Sequence, residues 1–278
     1  MKNRSLMLMT VVVFGYALLY VPIVSVVVYS FNDSRLVTLW GGFSLRWYAN
    51  LLSDDELLDA ALLSLRIAIV SATIATALGA IVALALHRVN RLRGRLLLSG
   101  MVAAPLVMPE IITGLSMLFL FISMADFIGW PSTRGATTIT IAHITFSMAY
   151  VVVVVRSRLA AMDESLEDAA MDLGGRPVAV FFDITVPMLL PALISGWLLS
   201  FTLSLDDLVI SSFVSGPGAT TLPMLIFAKV RLGVTPDINA ITTIIIAVVA
   251  VAVATAAIVS GRRGSAGVRP KAPGGKLA

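Results

Sequence analysis

Six stretches of this chain run for about twenty residues with almost no charge, near residues 6–29, 62–86, 96–125, 137–155, 188–205 and 240–259. No other feature limits the fold so tightly. About twenty apolar residues, rising 1.5 Å each as an α-helix, cross a hydrocarbon layer of about 30 Å. Inside such a layer every backbone N–H and C=O must find its partner within the chain, which a helix achieves and an open strand does not. The expected fold is therefore all-α: a polytopic membrane protein with six transmembrane helices in a single domain over residues 1–261. The Gly, Pro, Arg and Lys of residues 262–278 read as a basic, disordered tail. Composition agrees, because 58% of the residues are hydrophobic and only 13% charged, whereas a soluble domain carries about a quarter. The absence of Cys excludes disulfides, thiolate metal sites and thiol catalysis.

Charge placement then sets the topology. With six spans, one side of the membrane collects Lys2, Arg4, Arg88, Arg91, Arg93, Arg95, Arg156, Arg158, Arg176, Arg262, Arg263, Arg269, Lys271 and Lys276, and the other only Arg35, Arg46, Arg134, Lys229 and Arg231. The positive-inside rule puts the first side, with both termini, in the cytoplasm. A seventh apolar stretch, Leu208 to Ala228, contains Gly216, Pro217, Gly218 and Pro223. Such breakers are tolerated at membrane depth only inside protein or a watery cavity, and a seventh span would export the basic tail. The first run follows Lys2 and Arg4 as a secretion signal would, but it exceeds the usual apolar length and lacks a small-x-small site, so it is read as a retained span. The basic residues are scattered among apolar runs rather than clustered, which argues against nucleic acid.

The segment 156–187 is neither span nor tether. Leu159, Met162, Leu166, Ala169, Ala170 and Leu173 recur at steps of three and four, while Asp163, Glu164, Glu167, Asp168 and Asp172 take the opposite side. That pattern is an amphipathic helix. Asp163 or Ser165 can cap its start, and Gly174 with Gly175 can stop it. Pro177 suits the first turn of a second short helix through Phe181 and Phe182, expected to end at Pro187 and Pro191 before the fifth span. Helices that lie on lipid favour Lys and Arg on the polar face. This face is acidic, so its exposed side is expected to meet a protein.

The stretch Asp168-Ala169-Ala170-Met171-Asp172-Leu173-Gly174, followed by Phe181, Ile184, Pro187 and Pro191, resembles the EAA loop of permease subunits of bacterial binding-protein-dependent ABC importers. The resemblance implies a type I ABC importer permease (MetI-like) fold. In that family the loop forms cytoplasmic coupling helices that sit in a groove of the ATPase subunit and transmit its closure to the membrane helices. Glu167, Asp168, Ala169, Ala170, Met171, Leu173 and Gly174 are then the ATPase-coupling residues. The family's leading Glu is Asp168 here, with Glu167 just before it, and which carboxylate meets the ATPase stays open. Val21-Pro22-Ile23 with Tyr29-Ser30-Phe31-Asn32, then Phe43-Ser44-Leu45-Arg46-Trp47-Tyr48, Pro105-Leu106-Val107-Met108-Pro109-Glu110, and Ser204-Leu205-Asp206-Asp207 with Ser215-Gly216-Pro217-Gly218, are similar to the second permease of spermidine and putrescine importers. The implied function is passage of polyamines, putrescine before spermidine, from a periplasmic binding protein to the cytoplasm by alternating access. The alternative is a permease of the same fold for a sugar, an amino acid or ferric ion. The implied partners are a second permease in a heterodimer, two cytoplasmic ATPase subunits, a periplasmic polyamine-binding protein and the lipid of a bacterial inner membrane. ATP and Mg belong to the ATPase, so this subunit is expected to hold no cofactor and to be no enzyme.

Ionisable groups within membrane spans are functional candidates. Glu110 is the only charge in the third run and follows Pro109, with Pro105 one turn earlier. It can face a watery path and receive an ammonium group, or equally cap a helix or pair with Arg66. Asp206 and Asp207 stand where the fifth run meets the broken stretch, a setting like the discontinuous helices of transporter sites. Adjacent helical residues point about 100° apart, so one is expected to face the path while the other caps or pairs. Glu110, Asp206 and Asp207 are thus the substrate-path candidates. Outside, Asp54, Asp55, Glu56 and Asp59 lie near Trp40, Trp47 and Tyr48. Carboxylates and aromatic faces suit a polyvalent cation, although these aromatics read first as an interfacial belt. His87 and His143 have no partner at metal-ligand spacing and are read as hydrogen-bonded packing residues, with no metal site. No Ser shows a His and Asp base system, which leaves an intramembrane enzyme unsupported. A proton-driven carrier, working without an ATPase, is the other rival. Gly79, Gly100, Gly114 and Gly196 are expected to permit close helix packing.

Overall fold

The structure, a computed structural model, describes residues 2–35, 39–89, 94–163, 165–233, 236–248 and 250. In chain order the helices are α1 (Lys2–Tyr29), α2 (Arg46–Leu51), α3 (Asp55–Arg88), α4 (Arg95–Val107), α5 (Glu110–Ile128), α6 (Ala136–Ala160), α7 (Ser165–Asp172) and α8 (Pro177–Val180). A π-helical turn (Phe181–Thr185) leads into α9 (Val186–Leu205), α10 (Val209–Val214) and α11 (Leu222–Leu232), and α12 covers Pro236–Val248. Among the described residues the only β pairing is an isolated bridge between Asn32 and Phe43. Among the described residues five runs are long and apolar enough to cross a membrane: Met7–Tyr29, Asp55–Arg88, Glu110–Ile128, Ala136–Ala160 and Pro177–Leu205. The fold is all-α, as expected. The run expected at 240–259 is helical as far as Val248; its remainder, the tail at 262–278 and Glu164 lie outside the described residues.

The chain forms two compact units, one of residues 55–228 and one of 1–54 with 229–278. The first is organised by α3, α6 and α9. Along α9, Ala192, Gly196, Ser200 and Ser204 are buried at every fourth position, and along α3 the buried stripe includes Ala68, Ala72, Ala75, Gly79 and Ala83. Lipid tails are as apolar as leucine, so helices associate there through close van der Waals contact, which small residues allow. Val151 of α6 fills the space so made. A Cβ on Gly79 would stand 2.8 Å from the Val151 side chain, and one on Gly196 3.4 Å from it. Gly114 of α5 serves Phe213 of α10 in the same way, at 2.7 Å. Gly100 does not: a Cβ there would meet nothing within 4 Å, because it lies on an open face of α4.

Two expected boundaries are corrected. The third run, expected at 96–125, is not one helix. It is split into α4 and α5, with Met108 (ψ 137°) and Pro109 (ψ 139°) extended between them. Proline offers no N–H and disfavours helical backbone at the preceding residue. Conversely, Pro187 and Pro191 end nothing. Helix continues from α8 through the π turn into α9, in which Pro191 is interior. The turn widens the backbone, with Val186 N–H bonding to Phe181 C=O, and such one-turn π segments accommodate irregularity without breaking a helix.

In the other unit, the apolar window of α1 is unburied over its whole length. The loop after it folds around Asn32. Its side chain donates to Leu39 C=O (2.7 Å) and accepts from Gly41 N–H (2.8 Å), while its own carbonyl accepts from Trp47 Nε1 (2.7 Å). Phe31 stacks against Phe43, Ser30 bonds Tyr48, and the Arg46 guanidinium lies 4.6 Å from the Trp47 ring centre. Asp54 accepts from Lys229 Nζ at 2.9 Å.

Candidate functional site

The elbow comprises α7, α8 and the π turn. Asp163 accepts the Ser165 N–H at 3.0 Å. Together the Ser165 hydroxyl and N–H hold the Asp163 carboxyl below the usual carboxylate range, because both donate to its charged form. At the far end Gly175 N–H bonds Ala170 C=O (3.0 Å) and Gly174 N–H bonds Met171 C=O (2.9 Å). These paired bonds, with Gly174 at φ +87°, are a Schellman stop. An eight-residue helix is not stable alone, and no residue of α7 is buried.

What anchors it is Glu167. Its Oε1 accepts from Arg88 Nη2, at the last residue of α3, and from the Thr185 hydroxyl of the π turn at 2.7 Å. The Glu167 side chain is 17% exposed and that of Arg88 40%. A cleft of about 220 Å³ opens beside them, lined by His87, Arg88, Leu159, Met162, Asp163, Glu167 and Asp168. The expected facing of the helix is therefore corrected in part. Glu167 turns inward to its own chain, whereas Asp168, Ala169 and Asp172 are exposed, and Ala170 is partly buried. Three apolar positions that periodicity alone would turn inward, Leu166, Ala169 and Leu173, are exposed, Leu173 by 90%, and Met171 is exposed with them. Val178 and Phe182 are exposed beside them, since no other described residue covers that face. Arg88 and Thr185 escaped the sequence reading: Arg88 counted only as a topology charge, and its distance from Glu167 along the chain hid the pair.

The second constellation surrounds the broken segment. His143 of α6 meets Ser204 through Nδ1 (2.7 Å), and Asp207 and Ser211 through Nε2 (both 3.1 Å). Ser71 of α3 donates to Ser204 at 3.0 Å. Asp207 also accepts the N–H groups of Ile210 (3.2 Å) and Ser211 (2.7 Å). With Asp207 a carboxylate, Nε2 carries the imidazole proton and Nδ1 accepts from Ser204, an assignment made from the bonding pattern. The expectation that no Ser has a His and Asp partner is thus corrected in geometry. The set is nevertheless buried throughout, with Ser71 and Ser211 at 0% and His143 at 1% exposure. No solute reaches it, so it ties α3, α6, α9 and α10 together rather than attacking a substrate. The break is latched further: Thr138 donates to Val214 C=O (2.7 Å), Ser64 accepts from Leu222 N–H (2.7 Å), and Gly216 lies against the Arg134 carbonyl.

Among the substrate-path candidates, Asp207 is buried in this network while Asp206, at the end of α9, is exposed. Glu110 is the first residue of α5 and exposed. It sits at the junction of two helices, not within one, and no ion pair joins it to Arg66 among the described residues. Arg66 instead borders a cleft of α3 and α6 with Thr137 and Thr140. The three carboxylates share no bond and no cleft.

Apolar helices around a small-residue seam, with one polar elbow and one latched break, define a polytopic membrane protein. The chain belongs to the family of binding-protein-dependent transport system inner membrane components, whose pattern it matches over residues 75–262. It is 56% identical over 248 residues, 89% of this chain and 88% of the relative, to the "Putrescine transport system permease protein PotI" of Escherichia coli K12. It is 45% identical over 231 residues, 83% of this chain and 87% of the relative, to the "Spermidine/putrescine transport system permease protein PotC" of Haemophilus influenzae. Among solved structures, a bacterial ABC transporter that imports the acidic polysaccharide alginate has a chain of the same fold, with TM-score 0.73 and 16% identity, covering 94% of this chain and 96% of that one. The chain is thus a multi-pass component of an inner-membrane transport system.

Proposed function

We propose that this chain is a transmembrane permease subunit of an ATP-driven importer of polyamines, putrescine before spermidine. The carrying observation is the gradient of identity: 56% to the putrescine permease against 45% to a spermidine/putrescine one. The subunit pairs with a second permease, rests on two ATPase subunits and takes substrate from a periplasmic binding protein. Both termini and the elbow face the cytoplasm, in keeping with the fourteen basic residues on that side. The exposed apolar face of Leu166, Met171, Leu173, Val178 and Phe182, flanked by Asp168 and Asp172, supports docking in an ATPase groove. ATP-driven closure moves the elbow, α9 follows it, and the path reopens on the other side of the membrane. Glu110 and Asp206, the two exposed path candidates, then offer transient countercharge to an ammonium group.

Uptake of labelled putrescine, measured in cells deleted for this gene and complemented with it, tests the reading. Uptake should return with the chain, unlabelled putrescine should compete better than spermidine, and loss of the ATPase should abolish it. A sugar, an amino acid or ferric ion competing in place of both amines would select the other reading of the same fold. Uptake that survives ATPase loss but not collapse of the proton gradient would select the proton-driven one. Because the chain has no Cys, single cysteines at 3, ahead of the first span, and at 173 labelled from either side of the membrane check the orientation.

A further inference from the structure

We infer that Arg88 is a positioning residue of the coupling machinery: through Glu167 it ties the elbow to α3, so that ATPase motion drives the α3/α6/α9 core as one body instead of pulling α6 and α9 without α3. The inference rests on the elbow docking an ATPase, as proposed above. Covalently, α7 connects to α9 through α8 and the π turn, and to α6 through residues 161–164. Helix α3 has no such link to it. It reaches α7 through Arg88 Nη2 on Glu167 Oε1, and the same oxygen takes the Thr185 hydroxyl. Thr185 is fully buried and sits one residue before α9, so a single carboxylate oxygen gathers the ends of two core helices and the elbow. Arg88 also closes the C-terminal turn of α3, where the helix dipole favours a cation. A guanidinium bound to a carboxylate resists bending better than a neutral bond, and partial burial spares this one much of the screening that weakens surface pairs. The remainder of α7 is unburied, so without the strut the elbow could swing on its glycine stop while α3 stayed still.

The test uses the intact complex, purified with its ATPase and reconstituted in vesicles, with uptake and ATP hydrolysis measured together for Arg88→Glu, Glu167→Arg and the double exchange. Arg88→Glu should keep the ATPase bound and hydrolysing, while in both single reversals putrescine moved per ATP falls at least ten-fold. The double exchange should recover much of that ratio. A purely local stabilising role would lower both rates in step, and that result, or a double exchange no better than either single variant, overturns the strut. If the reversals fail to assemble, Arg88→Lys and Thr185→Val replace them. A wild-type coupling ratio in both also overturns it, and a reduced ratio with bound ATPase supports it. Failure of the wild-type chain to retain an ATPase would instead sink the docking reading itself, a separate outcome.

Discussion

The seam between α3, α6 and α9 and the elbow at α7 are held by opposite means. In the seam, small residues bring backbones together and one set of buried polar groups is bonded in a chain, Ser71 to Ser204, Ser204 to His143, His143 to Asp207, while the Thr76, Ser147 and Ser200 hydroxyls on the same helices make no hydrogen bond. At the elbow nothing in α7 is buried, and order comes from an Asp163 cap, a glycine stop and one carboxylate. Both regions are polar in a chain that is otherwise apolar, yet their polar groups do different work. In the seam they make one arrangement of four helices far better than its neighbours, because an unpaired buried group is expensive. At the elbow they shape a short element held to the core through Arg88 and Thr185. An open face on such an element suits the docking proposed above.

The comparison is broken most directly by removing the imidazole. His143→Leu keeps similar volume but strips Asp207 and Ser204 of their shared partner, and a buried charged acceptor left short of its hydrogen bond costs about 3 kcal/mol or more. Thermal unfolding of the detergent-purified subunit should show it. A variant as stable as the parent would mean that the seam depends on packing alone. Next comes Gly216→Ala, whose Cβ would stand 2.0 Å from the Arg134 carbonyl oxygen. No flexible side chain is there to yield, so the backbone must shift, at about 2–3 kcal/mol. Gly100→Ala, which meets nothing within 4 Å, should change stability by less than about 0.5 kcal/mol and serves as the control.

These regions were unequally legible in the sequence. The elbow's place, length and stops follow from local spacing, and Gly174 was readable as a stop because only a residue tolerant of positive φ ends a helix that way. Its facing was not legible. Periodicity sorts residues onto two sides but cannot say which side its own chain covers, and Glu167 turns inward only because Arg88 and Thr185, distant in sequence, are there to receive it. The seam shows the same limit. His143 looked isolated because Ser204 and Asp207 lie 61 and 64 residues away. The break at Met108 has a local signal in Pro109, which disfavours helix at the residue before it, but the continuous apolar run masks that signal. Pro187 misled in the other direction, since no local pattern announces a π turn.

At the elbow the expected effects are smaller. Gly174→Ala forces a Cβ into left-handed backbone at φ +87°, for about 1–2 kcal/mol. It should speed hydrogen exchange at Ser165–Asp172 while leaving the melting of the seam unchanged; a shift of the whole unfolding transition would mean that the two regions are one cooperative unit.

The smallest effect is the pH dependence of the Asp163 cap. Its carboxyl is held below the ordinary range by the Ser165 hydroxyl and N–H, so the folded elbow binds the ionised form more tightly than the unfolded chain does. The cap's contribution is therefore fully present above the unfolded value of about 3.9 and is lost as pH falls through the lower folded one. Exchange protection of α7 in the parent and in Asp163→Ala should differ by a constant factor from about pH 5 to 8, and the two should converge below about pH 3.9. Asp163 is fully exposed, so the factor is small and belongs to α7 alone. Convergence already near neutral pH would assign the cap to another group, and the same factor in α3 amides would show that Arg88 carries the elbow's stability into the core as well as its motion.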